Sequence, residues 1–134
     1  MTSTSRRAAL PDLLSLIDHA HNEGVRVWWR RIAGRDAAWS ARHCGIWVDP
    51  ALTEREARCL LAHELGHAYY GDDGPQPDEV ELRAWRYAAL LLIGREEYAE
   101  AEWLHGPHLG GLAEALGVTR EVVQAFQAVI ERAP

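Results

Sequence analysis

The 134-residue chain contains no lysine, so arginine supplies all 14 of its basic residues. The longest basic runs are the pairs Arg6–Arg7 and Arg30–Arg31, and the formal net charge is -6. A protein that binds along a nucleic-acid backbone needs a stripe of positive charge to neutralise phosphates. The sequence therefore indicates that nucleic acid is not the main partner.

Cysteines and long apolar runs are also scarce. The only two cysteines, Cys44 and Cys59, lack the dense spacing of a disulfide framework. A helix that crosses a bilayer needs about 20 consecutive apolar residues, and the apolar runs here are far shorter. No signal peptide is recognisable ahead of the first predicted helix. We expect a cytoplasmic protein without a membrane partner.

The composition is that of a folded globular protein, with 48% apolar and 25% charged residues. The length suits one domain, which we expect to span residues 1–134. The first predicted helix has Pro11 at its first position and ends at Gly24. Periodicity and turn residues then predict strands within 25–32, 37–43 and 45–49, and helices at 54–70, 78–93, 95–104 and, as a pair joined through Gly117–Thr119, within 112–131. This order predicts an α+β fold, with a small antiparallel sheet of about three strands packed on a helix pair and a C-terminal helical hairpin.

The stretch AHELGHA (62–68) carries the main chemical signal. It lies inside the predicted helix that follows the capping-box residues Thr53 and Glu56. His63 and His67 are four residues apart, so they share one helix face and can bind one Zn²⁺. Glu64 is rotated off the ligand axis, where its carboxylate can accept a proton from a water that zinc has acidified. The plainer interpretation is a pair of half-buried polar residues on an amphipathic helix, since a bare HExxH also occurs by chance.

Gly66 lies between the two histidines and is an unusual choice for a helix interior. In an exposed helix interior, glycine costs about 1 kcal/mol relative to alanine. A close approach by a neighbouring backbone or by substrate would explain why it is tolerated.

A catalytic zinc site needs a third protein ligand and an open position. The next predicted helix offers three carboxylates, Asp78, Glu79 and Glu81. Glu81 shares a face with Ala84 and Ala88, whose small side chains would let the two helices approach closely. Asp78 with Glu81 also fits an N-cap residue and its capping-box partner, which is a structural role. Helical spacing alone leaves Glu79 and Glu81 as alternatives.

The two segments together resemble the ImmA/IrrE family of metallopeptidases. In that family a helix with HELGHA precedes a helix with the pattern E-x-x-A-x-x-F-A-x-x-L-L, whose glutamate is the third zinc ligand. HELGHA (63–68) matches throughout, and ELRAWRYAALLL (81–92) matches in register at Glu81, Ala84, Ala88, Leu91 and Leu92. The resemblance implies that His63, His67 and Glu81 hold one Zn²⁺ per chain and that Glu64 is the catalytic residue.

Three features depart from the family pattern. Trp85 stands where Asn or Asp is usual, Tyr87 replaces Phe, and the segment 93–95 replaces Met-Pro. These changes affect packing around the second helix more than the ligand set. They therefore bear on substrate contacts rather than on metal binding.

The resemblance also implies an architecture and an activity. Residues 11–93 would form a gluzincin-like zincin core, and residues 95–134 a C-terminal helical subdomain. The implied activity is zinc-dependent cleavage of a regulatory protein, namely a helix-turn-helix repressor of a phage, a mobile element or stress genes. The alternative is a catalytically silent, zinc-containing module that sequesters a repressor or a toxin-like partner. DNA binding through residues 112–131 is a third hypothesis, which the acidic charge disfavours.

Peptide hydrolysis also needs a donor for the oxyanion that develops in the transition state. Tyr70 shares a face with the two histidines, and His105 and His108 lie in a predicted loop interrupted by glycine and proline. Any of the three could donate, although a core position for Tyr70 and surface or capping roles for the loop histidines are the plainer interpretations.

The strand 45–49 ends just before the metal helix. An extended substrate could pair with an exposed edge of this strand. The plainer interpretation is that its Trp47 is part of the core.

Overall fold

Three strands and six helices are assigned in the computed structural model, which describes residues 10–132. In chain order they are α1 (Leu13–Asn22), β1 (Arg26–Trp29), β2 (Ala37–Ser40), β3 (Gly45–Val48), α2 (Glu54–Tyr70), α3 (Asp78–Leu92), α4 (Arg95–His105), α5 (Leu109–Leu116) and α6 (Arg120–Arg132). The predicted α+β class is confirmed. Residues 1–9 and 133–134 of the predicted domain lie outside the described residues. Within residues 10–132, every helix is too short or too polar to cross a membrane.

The sheet is mixed, so the prediction of an antiparallel sheet is wrong. Its order is β1-β3-β2, with β2 antiparallel and β1 parallel to β3. The chain does reverse between β1 and β2, where Ile32 and Arg35 form an isolated bridge. The two strands nevertheless lie two strand spacings apart, roughly 9 to 10 Å, and β3 fills the gap. Because β3 is the most buried of the three strands, burial places it at the centre.

The central position of β3 also removes the free edge that we expected at residues 45–49. β3 is hydrogen-bonded on both sides, so the edges of the sheet belong to β1 and β2. Trp47 is half-buried and stacks on Trp28, with ring centroids 4.8 Å apart. The Trp28 ring also covers Gly45, where a Cβ would clash with it. An extended chain can therefore join this sheet only beside β1 or β2.

The start of α1 differs slightly from the prediction. Pro11 precedes the helix, and Asp12 is the N-cap, whose carboxylate accepts the Ser15 backbone N–H at 2.8 Å. A side-chain acceptor at the cap satisfies a free N–H group of the first turn, which proline cannot do. Leu16 and Ala20 are fully buried on the inner face of the helix. The hydrophobic spacing was therefore a better guide to α1 than its proline.

α2 begins and ends where its sequence signals predict. The Thr53 hydroxyl accepts the Glu56 N–H at 3.1 Å, and the Glu56 carboxylate accepts the Thr53 N–H at 3.0 Å. At the other end, Gly71 adopts the left-handed conformation with φ of 72°, which glycine reaches without steric penalty. Both ends of the helix that carries HELGHA are therefore fixed by local chemistry.

Gly66 allows α3 to pack closely against α2. A Cβ at this position would lie 3.0 Å from the Ala84 carbonyl oxygen and 3.1 Å from the Ala84 Cα. Ala84 and Ala88 are fully buried at this contact. Close approach of a neighbouring backbone, one of the two explanations that the sequence suggested, is present in the structure.

The last two helices form the predicted hairpin, joined through Gly117–Thr119. Arg58 of α2 ties the hairpin to the start of α1, because its guanidinium donates to the Pro11 and Gly117 carbonyl oxygens at 2.9 and 2.8 Å. One hydrophobic core includes side chains from every helix and from β3, among them Leu16, Ile46, Leu61, Leu92, Tyr98, Leu112 and Phe126. The division into a core of residues 11–93 and a subdomain from 95 stays a prediction.

Candidate metal centre

Two packed helices bring two imidazoles and one carboxylate together. His63 and His67 of α2 are 4% and 5% exposed. Glu81 Oε1, from α3, lies 2.9 Å from Nε2 of His63 and 3.2 Å from Nε2 of His67. One ligand atom from each residue lies within 4.8 Å of the other two. The structure thus places the three predicted ligands in one group.

The other candidates for third ligand lie elsewhere. Asp78 and Glu79 are both exposed and are not part of this group. The N-cap of α3 is Pro77, and no side chain caps the helix. The capping box considered for Asp78 and Glu81 is therefore absent, and Glu81 faces α2 instead.

The donor set fits zinc. Two imidazole nitrogens and one carboxylate oxygen are a known ligand set of catalytic zinc sites. Ligands about 2.0 to 2.2 Å from a tetrahedral ion lie roughly 3.3 to 3.5 Å from each other, slightly farther apart than the 2.9 and 3.2 Å found here between Glu81 and the imidazoles. The Glu81 side chain is 37% exposed. The group could hold one ion and keep a face open to solvent.

A polar network fixes the ring of His67. Its Nδ1 lies 2.9 Å from Oδ2 of Asp72, and Oδ1 of Asp72 accepts from the Arg83 guanidinium at 2.6 Å. The Asp72 backbone oxygen accepts from the indole N–H of Trp39 at 2.7 Å. Both ring nitrogens face carboxylates, which can only accept, and Asp72 is the nearer at 2.9 Å against 3.2 Å for Glu81. A single ring hydrogen therefore belongs on Nδ1, and Nε2 then keeps a lone pair.

An aromatic surface holds the ring of His63. The Trp85 ring lies with its centroid 4.0 Å away, tilted by 35°. Nδ1 of His63 is buried and has no hydrogen-bond partner among residues 10–132. Burial, followed by the charge of His67, lowers the pKa of His63 to about 4, although Glu81 opposes the shift. His63 is therefore neutral at pH 7, which is the form that binds a metal.

Glu64 is a buried carboxylate beside the ligand group, with 4% exposure. Burial raises its pKa above the usual range, while the charges of His67 and Arg35 and the backbone amide of Trp39 oppose the rise. A higher pKa makes the ionised carboxylate a stronger base, and general bases work best when their pKa is near the operating pH. The environment of Glu64 therefore suits proton transfer.

The three candidate oxyanion donors lie in different environments. Tyr70 is 44% exposed rather than core, and the Arg83 guanidinium lies 4.1 Å from its ring centroid. His108 caps α5, where its Nδ1 accepts the Gly111 N–H at 2.9 Å. His105 is the exposed last residue of α4. Of these three, Tyr70 is the one linked to the metal centre, through Arg83 and Asp72.

Neither Asp72 nor Arg83 was predicted as part of the site. Residues 72–77 have a loop composition, and Arg83 was not distinguished from the other residues of the predicted helix 78–93. A usable signal exists in the way α2 ends. The Gly71 N–H donates to the Ala68 oxygen at 3.2 Å and the Asp72 N–H to the His67 oxygen at 2.9 Å, which is the Schellman arrangement. In that arrangement the residue after the glycine bonds back to the helix five positions earlier, here the second histidine. A carboxylate in HExxHxxxGD therefore predicts a partner for that histidine.

Comparison with known protein families gives one match that covers most of the chain. The family described as the IrrE N-terminal-like domain, a peptidase family, matches residues 22–126. This range covers more than three quarters of the chain and includes every residue of the metal centre described above. A search of curated proteins found no match.

Proposed function

The chain belongs to the IrrE N-terminal-like domain family, a family of metallopeptidases, and from this premise we propose that it is a zinc-dependent endopeptidase. The observation that carries the proposal is the convergence of two imidazole Nε2 atoms on Glu81 Oε1. With the ring hydrogen on Nδ1, Nε2 of His67 presents a lone pair to a carboxylate 3.2 Å away. Such groups repel unless a proton or a cation lies between them. A divalent cation would satisfy all three ligand atoms at once.

The proposed chemistry divides between the ion and Glu64. Bound zinc would lower the pKa of a water molecule to about 7 and polarise a peptide carbonyl. Glu64 would take the proton of the attacking water and deliver it to the leaving amine. The raised pKa of Glu64, caused by burial, supports both transfers.

We place the extended substrate beside β2. This strand is an edge of the sheet, packs against α2, and interacts with Glu64 through the Trp39 backbone amide. Strand addition binds a peptide through main-chain hydrogen bonds and leaves its side chains to set specificity. A peptide bound there would pass close to Glu64, which the expected edge at residues 45–49 cannot offer.

The proposed substrate is a regulatory protein of the cytoplasm, with helix-turn-helix repressors as the leading class. This choice rests on the resemblance of residues 63–68 and 81–92 to the ImmA/IrrE family. Pairing with an edge strand also requires an extended segment, so cleavage would fall in an exposed loop or interdomain linker of the repressor.

Zinc content and cleavage by purified variants test the proposal. The wild-type protein should carry about one zinc per chain and cleave a helix-turn-helix repressor encoded beside its gene. Glu64→Gln should keep the zinc and lose cleavage by roughly 10² to 10⁴, the usual contribution of a general base. His67→Ala should lose both zinc and cleavage.

Two results would point elsewhere. A wild-type protein that binds no zinc would contradict the proposed function. Zinc binding without cleavage of any candidate partner, together with a partner complex that Glu64→Gln leaves intact, would favour the silent sequestering module.

A further inference from the structure

We propose that Asp72, held in place by Arg83, is a positioning residue of the metal centre that fixes the ring and the tautomer of His67. The inference rests on the proposed zinc site and extends it to a residue outside HExxH. Asp72 would not touch the ion or the substrate, and it would act through His67 alone.

Asp72 is held by four contacts from three elements. Its backbone N–H donates to the His67 oxygen at 2.9 Å, and its backbone oxygen accepts from the Trp39 indole at 2.7 Å. Its two carboxylate oxygens bind His67 Nδ1 at 2.9 Å and Arg83 at 2.6 Å. The side chain is 9% exposed. Such a carboxylate has little freedom, so the ring that it binds has little freedom either.

The consequence for metal binding is a choice of tautomer. Neutral histidine carries its hydrogen on either Nδ1 or Nε2, and a ligand nitrogen must be free of hydrogen. The Asp72 carboxylate, at 2.9 Å, is closer to the ring than Glu81 is at 3.2 Å, so it selects the Nδ1–H form and leaves the lone pair of Nε2 facing Glu81. A carboxylate that accepts from a ligand histidine also makes that histidine a better donor to the metal.

Arg83 determines which carboxylate oxygen of Asp72 is available to His67. The guanidinium occupies the second carboxylate oxygen and lies over the Tyr70 ring at 4.1 Å. It compensates the charge of a largely buried carboxylate, which would otherwise be costly. It also fixes which oxygen is left to face His67.

This arrangement makes Asp72→Asn a sharp test. The asparagine oxygen should remain with Arg83, which can only donate, so the amide NH₂ should face Nδ1 of His67. Nδ1 must then accept, and the hydrogen moves to Nε2, the wrong tautomer for metal binding. Removing the guanidinium as well, in Asp72→Asn with Arg83→Met, should let the amide oxygen turn back to Nδ1. Asp73→Asn, one residue along the same loop, is the matched control.

The first readout is the zinc dissociation constant, measured by competition with a chromogenic chelator. Asp72→Asn should weaken zinc binding about 10- to 100-fold, the range for lost partners of ligand histidines. Asp73→Asn should bind zinc like the wild type. The double variant should recover several-fold of the affinity that Asp72→Asn loses.

The second readout is the ¹⁵N spectrum of the metal-free proteins, which reports each histidine tautomer without any activity. At a pH where the ring is neutral, wild-type His67 should be in the Nδ1–H form, Asp72→Asn should shift it to Nε2–H, and the double variant should shift it back. A purely structural role for Asp72 would lower the melting temperature without this exchange of tautomers.

The outcomes separate this inference from the proposed function. No zinc in the wild-type protein would defeat the zinc site itself. Wild-type zinc binding that Asp72→Asn weakens no more than Asp73→Asn, or an unchanged His67 tautomer in Asp72→Asn, would overturn the role of Asp72 alone. A double variant as weak as Asp72→Asn would overturn the part assigned to Arg83.

Discussion

His63 and His67 lie one turn apart on the same helix, yet the protein holds their rings in different ways. Nδ1 of His67, the nitrogen that points away from the ligand group, is hydrogen-bonded to Asp72, and Arg83 and Trp39 hold Asp72 in place. The ring of His63 lies against the Trp85 ring, and its Nδ1 has no hydrogen-bond partner within residues 10–132. Helical spacing therefore decides where the Nε2 atoms of the two histidines converge. Residues outside the motif decide how firmly each ring is held and which nitrogen carries the hydrogen.

The largest expected effect on the stability of the metal-free fold is a pH dependence set by His63. The pKa of His63 is lowered from 6.5 to about 4 in the folded protein. A lowered histidine pKa gives stability that is present above pH 6.5 and is lost as the pH falls toward 4, because the unfolded chain takes up the proton first. Between pH 7 and pH 5 this loss should be about 2 kcal/mol.

The measurement is urea unfolding at pH 7 and pH 5 with a chelator present. His63→Gln removes the titrating group, so the variant should lose about 2 kcal/mol less than the wild type over this interval. Equal losses in the two proteins would show that the buried ring of His63 does not set the pH dependence.

The next expected effect comes from the packing of α3 on α2 at Gly66, which concerns both histidines equally. In Gly66→Ala the new methyl group would lie 3.0 Å from the Ala84 backbone oxygen. We expect α3 to give way by a few tenths of an ångström and to move Glu81 away from both rings. We expect overpacking of about 1 to 3 kcal/mol, reduced by up to about 1 kcal/mol of helix propensity, in thermal unfolding of the metal-free protein. Zinc affinity should fall as well.

Gly110→Ala is the matched control for this substitution. A Cβ at Gly110 meets only side chains, with the flexible end of Arg120 nearest at 3.1 Å. This variant should be close to neutral in stability and in zinc affinity. If Gly66→Ala were equally harmless, close packing of α2 on α3 would not be what positions Glu81.

The smallest expected effect comes from giving Nδ1 of His63 a hydrogen-bond acceptor, which Nδ1 of His67 already has in Asp72. In Trp85→Asn the carboxamide oxygen could accept the hydrogen of His63 Nδ1, so we expect zinc binding several-fold tighter than in the wild type. Trp85→Phe keeps an aromatic ring without an acceptor and should leave the affinity unchanged. An Asn variant that binds zinc no better than the Phe variant would mean that the unpaired nitrogen does not limit metal binding.

The parts of this molecule that could be predicted from sequence are those fixed by neighbours along the chain. Thr53 with Glu56 located the start of α2, and Gly71 located its end. The four-residue spacing of His63 and His67 placed both imidazoles on one face. Each of these features depends on contacts within about one helical turn.

The features that could not be predicted depend on contacts between distant segments. The strand order was missed because burial, rather than the turn between β1 and β2, places β3 at the centre. Helical spacing alone did not separate Glu79 from Glu81, because that choice depends on how α3 packs across Gly66. Asp72 was missed because the sequence DDGPQP has a loop composition whichever residue its first carboxylate faces.

The most direct test of the central claim is a zinc titration that compares Glu81→Gln with Glu79→Gln. Both variants remove one negative charge from the first turn of α3, but Glu79 is exposed and Glu81 faces the two histidines. The wild type and Glu79→Gln should each bind about one zinc per chain with the same affinity. Glu81→Gln should bind more than about 100-fold more weakly, beyond the range of an outer partner. If Glu81→Gln bound zinc like the wild type, the site formed by His63, His67 and Glu81 would be contradicted.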